Sequence, residues 1–283
     1  EATWEVICVD DDSPDDSVVV IRQARAADRR IKLVRHFRNY GQHQALLTGF
    51  RYATGRYVIT MDDDLQHPPE EMPKLLAALG DHDVVIAAPA DRRHAAHKNL
   101  GSALMGWILR AVFKPPPGYV ASAFRLMRRE VAQQLAETHT VYPYLSGMIL
   151  RATSNITNVF VRHDVRPHGA STYTLPKLLR LASNLIVNYT KLPLQALVVV
   201  GVFTSLVSFA FILQLGYNKV FVRDYVAGWA SLIMVISFFG GLNLLGLAVV
   251  GEYMSRLLNE VSANRRVLVR EVEVDGPEEA ELP

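Results

Sequence analysis

The sequence contains a single cysteine, Cys8, so no internal disulfide framework can form and a reducing compartment is the expected setting. Cys8 sits in an apolar run and reads as a buried, inert thiol rather than a reactive one. Excess charge of either sign is also missing. Thirty Lys and Arg against 28 Asp and Glu leave a net +2, which excludes the large basic footprint of a nucleic-acid binder. No basic start or small-residue cleavage site precedes the strand-like opening, so no secretory signal is expected. Internal repeats and low-complexity tracts are lacking. What the 283 residues do have is apolar side chains, 50% of the total and unevenly placed. The first two thirds read as a water-soluble protein and the last third does not. That length accommodates one catalytic-sized domain and an appendage.

Two uncharged stretches dominate the last third, Leu192–Tyr217 and Val226–Gly251, each of about 26 residues, against the roughly 20 needed to cross a hydrocarbon core. Tyr217, Tyr225, Trp229 and Tyr253 sit near their ends, where amphipathic rings favour the membrane interface. Two buried helices of a soluble core are the alternative, but such helices rarely run so far without a charge. The short connection Asn218–Tyr225 makes the pair a hairpin. Lys177, Arg180 and Lys191 precede it and Arg256, Arg265, Arg266 and Arg270 follow it, while only Lys219 and Arg223 lie between the spans. The positive-inside bias places both flanks in the cytoplasm. From Leu175 to Lys191, leucines on one helical face oppose Lys177, Arg180 and three polar residues. That pattern predicts a helix lying in the interface.

Upstream, strands are expected over Glu5–Asp10, Ile31–Arg35, Tyr57–Met61 and Asp83–Ala87. Helices are expected over Ser17–Asp28, Gln42–Ala53 and Pro69–Leu79. The alternation implies a largely parallel α/β sheet covered on both faces, with its site beyond the carboxyl ends of the strands. Both acidic clusters, Asp10–Asp12 and Asp62–Asp64, fall at such ends. The acidic tail Asp275–Pro283 is expected to be disordered.

The strongest chemical signal is Asp62-Asp63-Asp64-Leu65-Gln66. Three carboxylates at a strand terminus repel one another and favour a compensating cation, and hard oxygen ligands suit Mg²⁺ or Mn²⁺. A divalent ion there would bridge a diphosphate and neutralise charge on a departing nucleotide. A solvated acidic loop is the plainer alternative. The preceding strand and the second acidic cluster weigh against it. Arg92 and Arg93 follow the fourth strand, so at least one is expected to face the same site, whereas His43 and His67 are read as structural.

Taken in order, VDDDSPDDS (9–17), RNYGQHQALLTGFRYATG (38–55), MDDDLQHPPEEMP (61–73), SAFRLMRREV (122–131), HGASTYTL (168–175) and GEYMSRL (251–257) resemble the family 2 glycosyltransferases. The similarity is to their polyisoprenyl-phosphate branch, which includes dolichol-phosphate mannose synthase and the bacterial undecaprenyl-phosphate transferases. It covers nearly the whole chain. The resemblance implies a GT-A type (Rossmann-like) mixed sheet over residues 1–173, an interfacial helix over 174–191, a transmembrane hairpin over 192–251 and a cytoplasmic tail over 252–283. It also implies an inverting, metal-dependent transfer from a nucleotide-sugar donor to a polyisoprenyl phosphate, at the cytoplasmic face of the inner membrane. By the same resemblance, Asp11 would contact the nucleotide base, Asp62 the ribose or the metal-bound diphosphate, and Asp64 and Gln66 the metal, while Arg125 would bind phosphate. Asp63 and Arg92 join the expected donor contacts, and Ser171 and Lys177 the expected acceptor-phosphate contacts. A homo-oligomer, tetrameric in relatives, and a lipid-sugar flippase are the implied protein partners.

Three positions depart from the pattern. Relatives open with a further strand and helix of the type VxIPxYNE, whereas this chain starts at what is usually the second strand. Pro89 stands where many carry arginine, and Thr172 where many carry the lysine of G-x-S-K. Lys177, Arg92 or His168 are candidates to supply the charge. Two other readings compete. A processive polysaccharide synthase would carry Q-x-x-R-W before its spans, and none is present. A non-catalytic membrane scaffold fits the missing basic groups but not three crowded carboxylates.

Overall fold

A continuous apolar run needs burial on both faces, and the run Val84-Val85-Ile86-Ala87-Ala88 obtains it at the centre of a sheet. The computed structural model describes residues 3–90, 110–138, 140, 143–164, 187, 189–190, 192–221, 228–262 and 267–274. In chain order its elements are β1 (Val6–Asp10), α1 (Ser17–Ala27), β2 (Ile31–His36), α2 (Gln42–Tyr52), β3 (Tyr57–Thr60), a 3-10 turn (Pro69–Glu71), α3 (Met72–Leu79), β4 (Val84–Pro89) and β5 (Arg125–Arg128). There follow α4 (Arg129–Glu137), α5 (Leu145–Ala152), β6 (Ile156–Val161), α6 (Leu192–Phe221), α7 (Trp229–Ser262) and β7 (Val269–Glu273). They form two compact units, residues 1–174 with 263–283, and residues 175–262.

The first unit holds two sheets, ordered β1-β2-β7 and β3-β5-β4-β6. The expectation of a largely parallel sheet is corrected here. The pairs β1–β2 and β4–β6 are parallel, but β5 runs antiparallel to both β3 and β4, and β7 runs antiparallel to β2. The mixed sheet implied by the resemblance is what forms. Strand β5 enters between two parallel strands from the opposite direction, and no local periodicity announces that. Successive β4 side chains alternate between two cores. Val84 and Ile86 pack with Leu47, Phe50, Leu135 and Ile149 under α2, α4 and α5. Val85 and Ala87 pack with Leu75, Leu79 and Phe124 under α3.

Before β1, Glu5 accepts hydrogen bonds from Thr54 N, Thr54 Oγ1 and Gly55 N at 2.7, 2.8 and 3.1 Å. It therefore joins the first sheet to the turn that enters β3. The third strand of that first sheet, β7, was expected to be tail. Its sequence, Val-Arg-Glu-Val-Glu, alternates polar and apolar residues. Arg22 on α1 donates to Glu271 and Glu273 at 2.6 and 2.7 Å, and the buried Arg25 pairs with Glu273 at 3.3 Å.

In the second unit the helices are longer than the uncharged runs. Residues 218–221 continue α6 rather than forming the connection. Helix α7 starts at Trp229, three residues after the expected Val226, and continues to Ser262, where a Glu252–Arg256 ion pair at 2.7 Å supports the polar turns. Tyr253 Oη donates to Thr190 O at 3.1 Å, and Leu197 packs against Gly246, so the contacts run in opposite senses along the two helices. By length and composition, Phe238–Leu258 can cross a membrane, with mean hydropathy 1.2 and none of it buried. The expected interfacial helix, apart from residues 187, 189 and 190, and the Asp275–Pro283 tail lie outside the described residues.

Candidate active site

Strand β3 ends at Thr60 because Asp62–Asp64 cannot continue a buried strand, and the chain turns there. Leu65 takes a left-handed φ of 61°, and Gln66 N–H donates to Asp64 Oδ1 at 3.1 Å, which closes the turn. The buried His67 accepts from Asp62 N–H through Nδ1 at 3.4 Å and packs against Phe124 and His163. Its pKa is lowered, first by burial. The Asp62 and Asp64 charges oppose that shift. Asp63 is exposed, and its charge reaches Cys8. That thiol is half-buried rather than buried, and its pKa is pushed up chiefly by burial, which keeps it unreactive.

The antiparallel β3–β5 register places Arg125 opposite Thr60. The guanidinium is therefore delivered to the strand end that carries Asp62. Arg125 is 4% exposed. Burial lowers its pKa most, while the nearby Tyr119, Tyr144 and Asp62 raise it. Its Nε and Nη1 are buried without any hydrogen-bond partner. Leaving a cation buried and unpaired is costly, so such a group is a strong mark of a site awaiting an anion.

The third wall comes from α2. Its first turn follows Gly41, whose φ of 92° suits glycine. Asp11 holds this turn, accepting Tyr40 N–H on Oδ1 at 2.8 Å and Gly41 N–H on Oδ2 at 2.6 Å, while His36 bridges Asp11 to Thr48 at 2.7 and 3.0 Å. Asp11 thus uses both carboxylate oxygens inside the protein. The neighbouring Asp10 is buried against Arg35 at 3.3 Å. The turn aims Gln42 at the acidic loop, where its Nε2 donates to Asp62 Oδ1 at 2.7 Å. Of the expected site residues, the fold gathers Asp62, Asp64 and Arg125, reaches Asp11 through Gly41 and Gln42, and leaves Asp63 outward. For Gln66 the contacts are backbone ones, including Asp164 N–H to its carbonyl at 3.1 Å. Arg92, Ser171, Lys177 and His168 lie outside the described residues. Gln42 is an addition that sequence reasoning missed, although it lies inside the 38–55 motif.

His43, next to Gln42, is half-buried. Its pKa is pushed down to about 4, first by burial and then by the Arg125 charge. The unfolded chain would protonate this ring below its ordinary 6.5 and the folded protein does not, so U binds more protons in that window. The group's contribution to stability is complete above about 6.5 and is lost as pH falls towards 4. The melting temperature, followed by scanning fluorimetry, is therefore expected to fall across that window. A His43→Asn variant should flatten the fall without removing it, because His67 is shifted in the same direction.

Residues 1–136 match the family described as Glycosyl transferase family 2. A relative from Sodalis glossinidius (strain morsitans), named undecaprenyl-phosphate 4-deoxy-4-formamido-L-arabinose transferase, is 34% identical over 98% of this chain and 86% of its own. The chain belongs to glycosyl transferase family 2. A protein of the same name from Yersinia pestis (strain Pestoides F) is 33% identical over 95% of this chain and 84% of its own. Among solved structures, glucosyl-3-phosphoglycerate synthase from Mycobacterium tuberculosis is 21% identical over 65% of each chain, with a TM-score of 0.46. For this glycosyltransferase the acidic loop offers oxygen donors only. Among the described residues no group of three or more His, Cys, Asp or Glu could hold a metal. The carboxylate oxygens of Asp62 and Asp64 are hard donors, the chemistry that suits an ion of the Mg²⁺ or Mn²⁺ kind held by one or two carboxylates together with substrate phosphates.

Proposed function

We propose that this glycosyltransferase moves a sugar from a nucleotide-sugar donor onto a polyisoprenyl phosphate, undecaprenyl phosphate in bacteria, with inversion at the sugar carbon. The observation that carries the reading is Arg125, a buried guanidinium with unpaired N–H groups beside Asp62. Asp62 and Asp64, with Gln66 at the turn, hold the diphosphate side of the donor. A bound Mg²⁺ or Mn²⁺ supplies charge neutralisation for the leaving nucleotide. Gln42 orients Asp62, and Asp11 sets the turn that presents Gln42 to it. Arg125 holds the phosphate of the acceptor. An ionised phosphate is already nucleophilic at neutral pH, so the site needs no strong base, and positioning and charge compensation dominate. Asp63 and Arg92 complete the donor contacts of this reading.

The lipid acceptor is supported by the two curated relatives' names and by the second unit. Val199, Phe203, Leu206, Leu244 and Leu247 are all largely exposed, a surface that suits lipid and not water. We read α6 and α7 as a double crossing. The reading is supported by the chain path, which leaves the catalytic unit before α6 and returns to pair with β2 at β7 after α7, as an even number of crossings would allow. The charge bias then supports a cytoplasmic position for that unit.

Membranes containing the protein, given undecaprenyl phosphate, Mn²⁺ and a panel of radiolabelled sugar nucleotides, should move label into the organic phase with one donor. Nucleotide binding without transfer from any donor would instead mark a scaffold.

A further inference from the structure

Among the described residues, the side-chain polar atoms that are buried without a hydrogen-bond partner are His43 Nδ1, Tyr119 Oη, Arg125 Nε and Nη1, and Arg129 Nε. All but the last share one neighbourhood: Tyr119 packs against the core that holds Leu47, Leu145 and Met148, His43 opens α2 with its ring on Tyr144, and the Arg125 charge acts on both. They arrive from three separate pieces of chain. His43 stands in the first turn of α2, behind the Asp11-held Gly41, with its ring edge-on to Tyr144 at 5.6 Å. Arg125 opens β5. Tyr119 ends the turn Pro116–Tyr119, closed by Tyr119 N–H to Pro116 O at 3.1 Å.

The segment behind that turn is pinned by Asn158 on β6. Its Oδ1 accepts Val120 N–H at 3.1 Å, and its Nδ2 donates to Val120 O at 3.0 Å and to Ile86 O at 3.1 Å. Asn158 thus fixes the backbone beside Tyr119, while the hydroxyl lies near enough to Ser146 for that side chain to lower its pKa, yet makes no bond to it of good hydrogen-bonding geometry. Unpaired buried polar groups are rare, since each forfeits its bonds to water. Several held together by independent elements point to a ligand.

The chemistry of the groups defines that ligand. Arg125 carries donors only, Tyr119 donates its O–H, and a neutral imidazole can present Nδ1–H. A matching ligand has several acceptor oxygens and a negative charge to balance the guanidinium. A neutral sugar hydroxyl would leave that charge uncompensated, whereas a phosphoryl group meets both conditions.

We propose that His43 and Tyr119 contact substrate directly, forming with Arg125 one set of donors for the non-bridging oxygens of a phosphoryl group. This rests on the assignment of Arg125 to a phosphate. That phosphate is either the acceptor's monoester or the donor's diphosphate.

The full chain in detergent, titrated calorimetrically with farnesyl phosphate, farnesol and a panel of nucleoside diphosphates with Mg²⁺, tests it. Tyr119→Phe and His43→Leu are each expected to weaken one phosphate ligand about tenfold. His43→Asn, which keeps an N–H near the Nδ1 position, should recover much of the loss, and farnesol should bind unchanged. Weakening of farnesyl phosphate identifies the acceptor as the source, and weakening of nucleoside diphosphate identifies the donor. Equal weakening of farnesol would reduce the two residues to packing and overturn the proposal. Wild-type binding of every phosphate ligand by both variants would overturn it too. If Arg125→Gln then loses binding, the reading of Arg125 survives. If that variant also binds normally, both fail. Should His43→Leu not fold, Tyr119→Phe decides the matter, since it deletes a single oxygen.

Discussion

Asp64→Ala is expected to cut sugar transfer by a factor of about 10³ or more and to remove the dependence of donor binding on a divalent ion. The argument is electrostatic. In the proposed reaction a nucleoside diphosphate would leave with charge that the protein must balance, and a divalent ion held by Asp62 and Asp64 would supply that compensation. Asp64 is one of the two carboxylates whose charge acts on His67, and its Oδ1 accepts Gln66 N–H at the turn. Losing the turn bond should cost roughly 1 kcal/mol of stability, and thermal melting checks that the variant folds. Glu70→Ala, an exposed carboxylate further along the loop, controls for net charge. Radiometric transfer and nucleotide titration with and without Mn²⁺ provide the measurements. Normal turnover by Asp64→Ala would remove the acidic loop from the mechanism.

Arg125→Met should separate activity from stability. Transfer is expected to fall about 10² to 10³-fold, the usual loss when a preorganised donor to a charged group is removed. Stability is expected to hold or to rise by about 1–4 kcal/mol, because an apolar chain of similar length replaces a buried cation without a complete set of partners. Arg125→Lys should restore little, since a single ammonium cannot offer the planar fork that two phosphate oxygens accept. Turnover and thermal melting together provide the test. An Arg125→Met protein that melts well below the wild type would show that the guanidinium holds the fold and is not reserved for a ligand.

Much of the first unit can be read residue by residue. Strands β1 and β2, helices α1 and α2 and the end of β3 lie within a residue or two of their expected limits, because apolar periodicity and stops such as Gly55 and Asp62 act over short range. The acidic loop at a strand end, with Arg125 behind it, is legible for the same reason and through the motifs. Strands β5, β6 and β7 are not. Each is 4 to 6 residues long and takes its place from partners far away in sequence, as β7 does when it returns to β2. Nothing near His43 or Tyr119 in the chain marks them as special. His43 resembles any helix-face histidine, and Tyr119 follows a proline-rich turn.

By itself, the sequence determined the family, the acidic motif and the two uncharged runs, since each is written in neighbouring residues whose spacing and chemistry survive without a fold. Only the tertiary structure decided that Arg125 is buried with open donors beside Asp62, that Gln42 reaches that carboxylate, and that the residues after α7 rejoin the first sheet. Those are contacts between positions tens to hundreds of residues apart. Their cost is chain entropy and their gain is burial, and the balance of the two can be struck only once the whole core has closed.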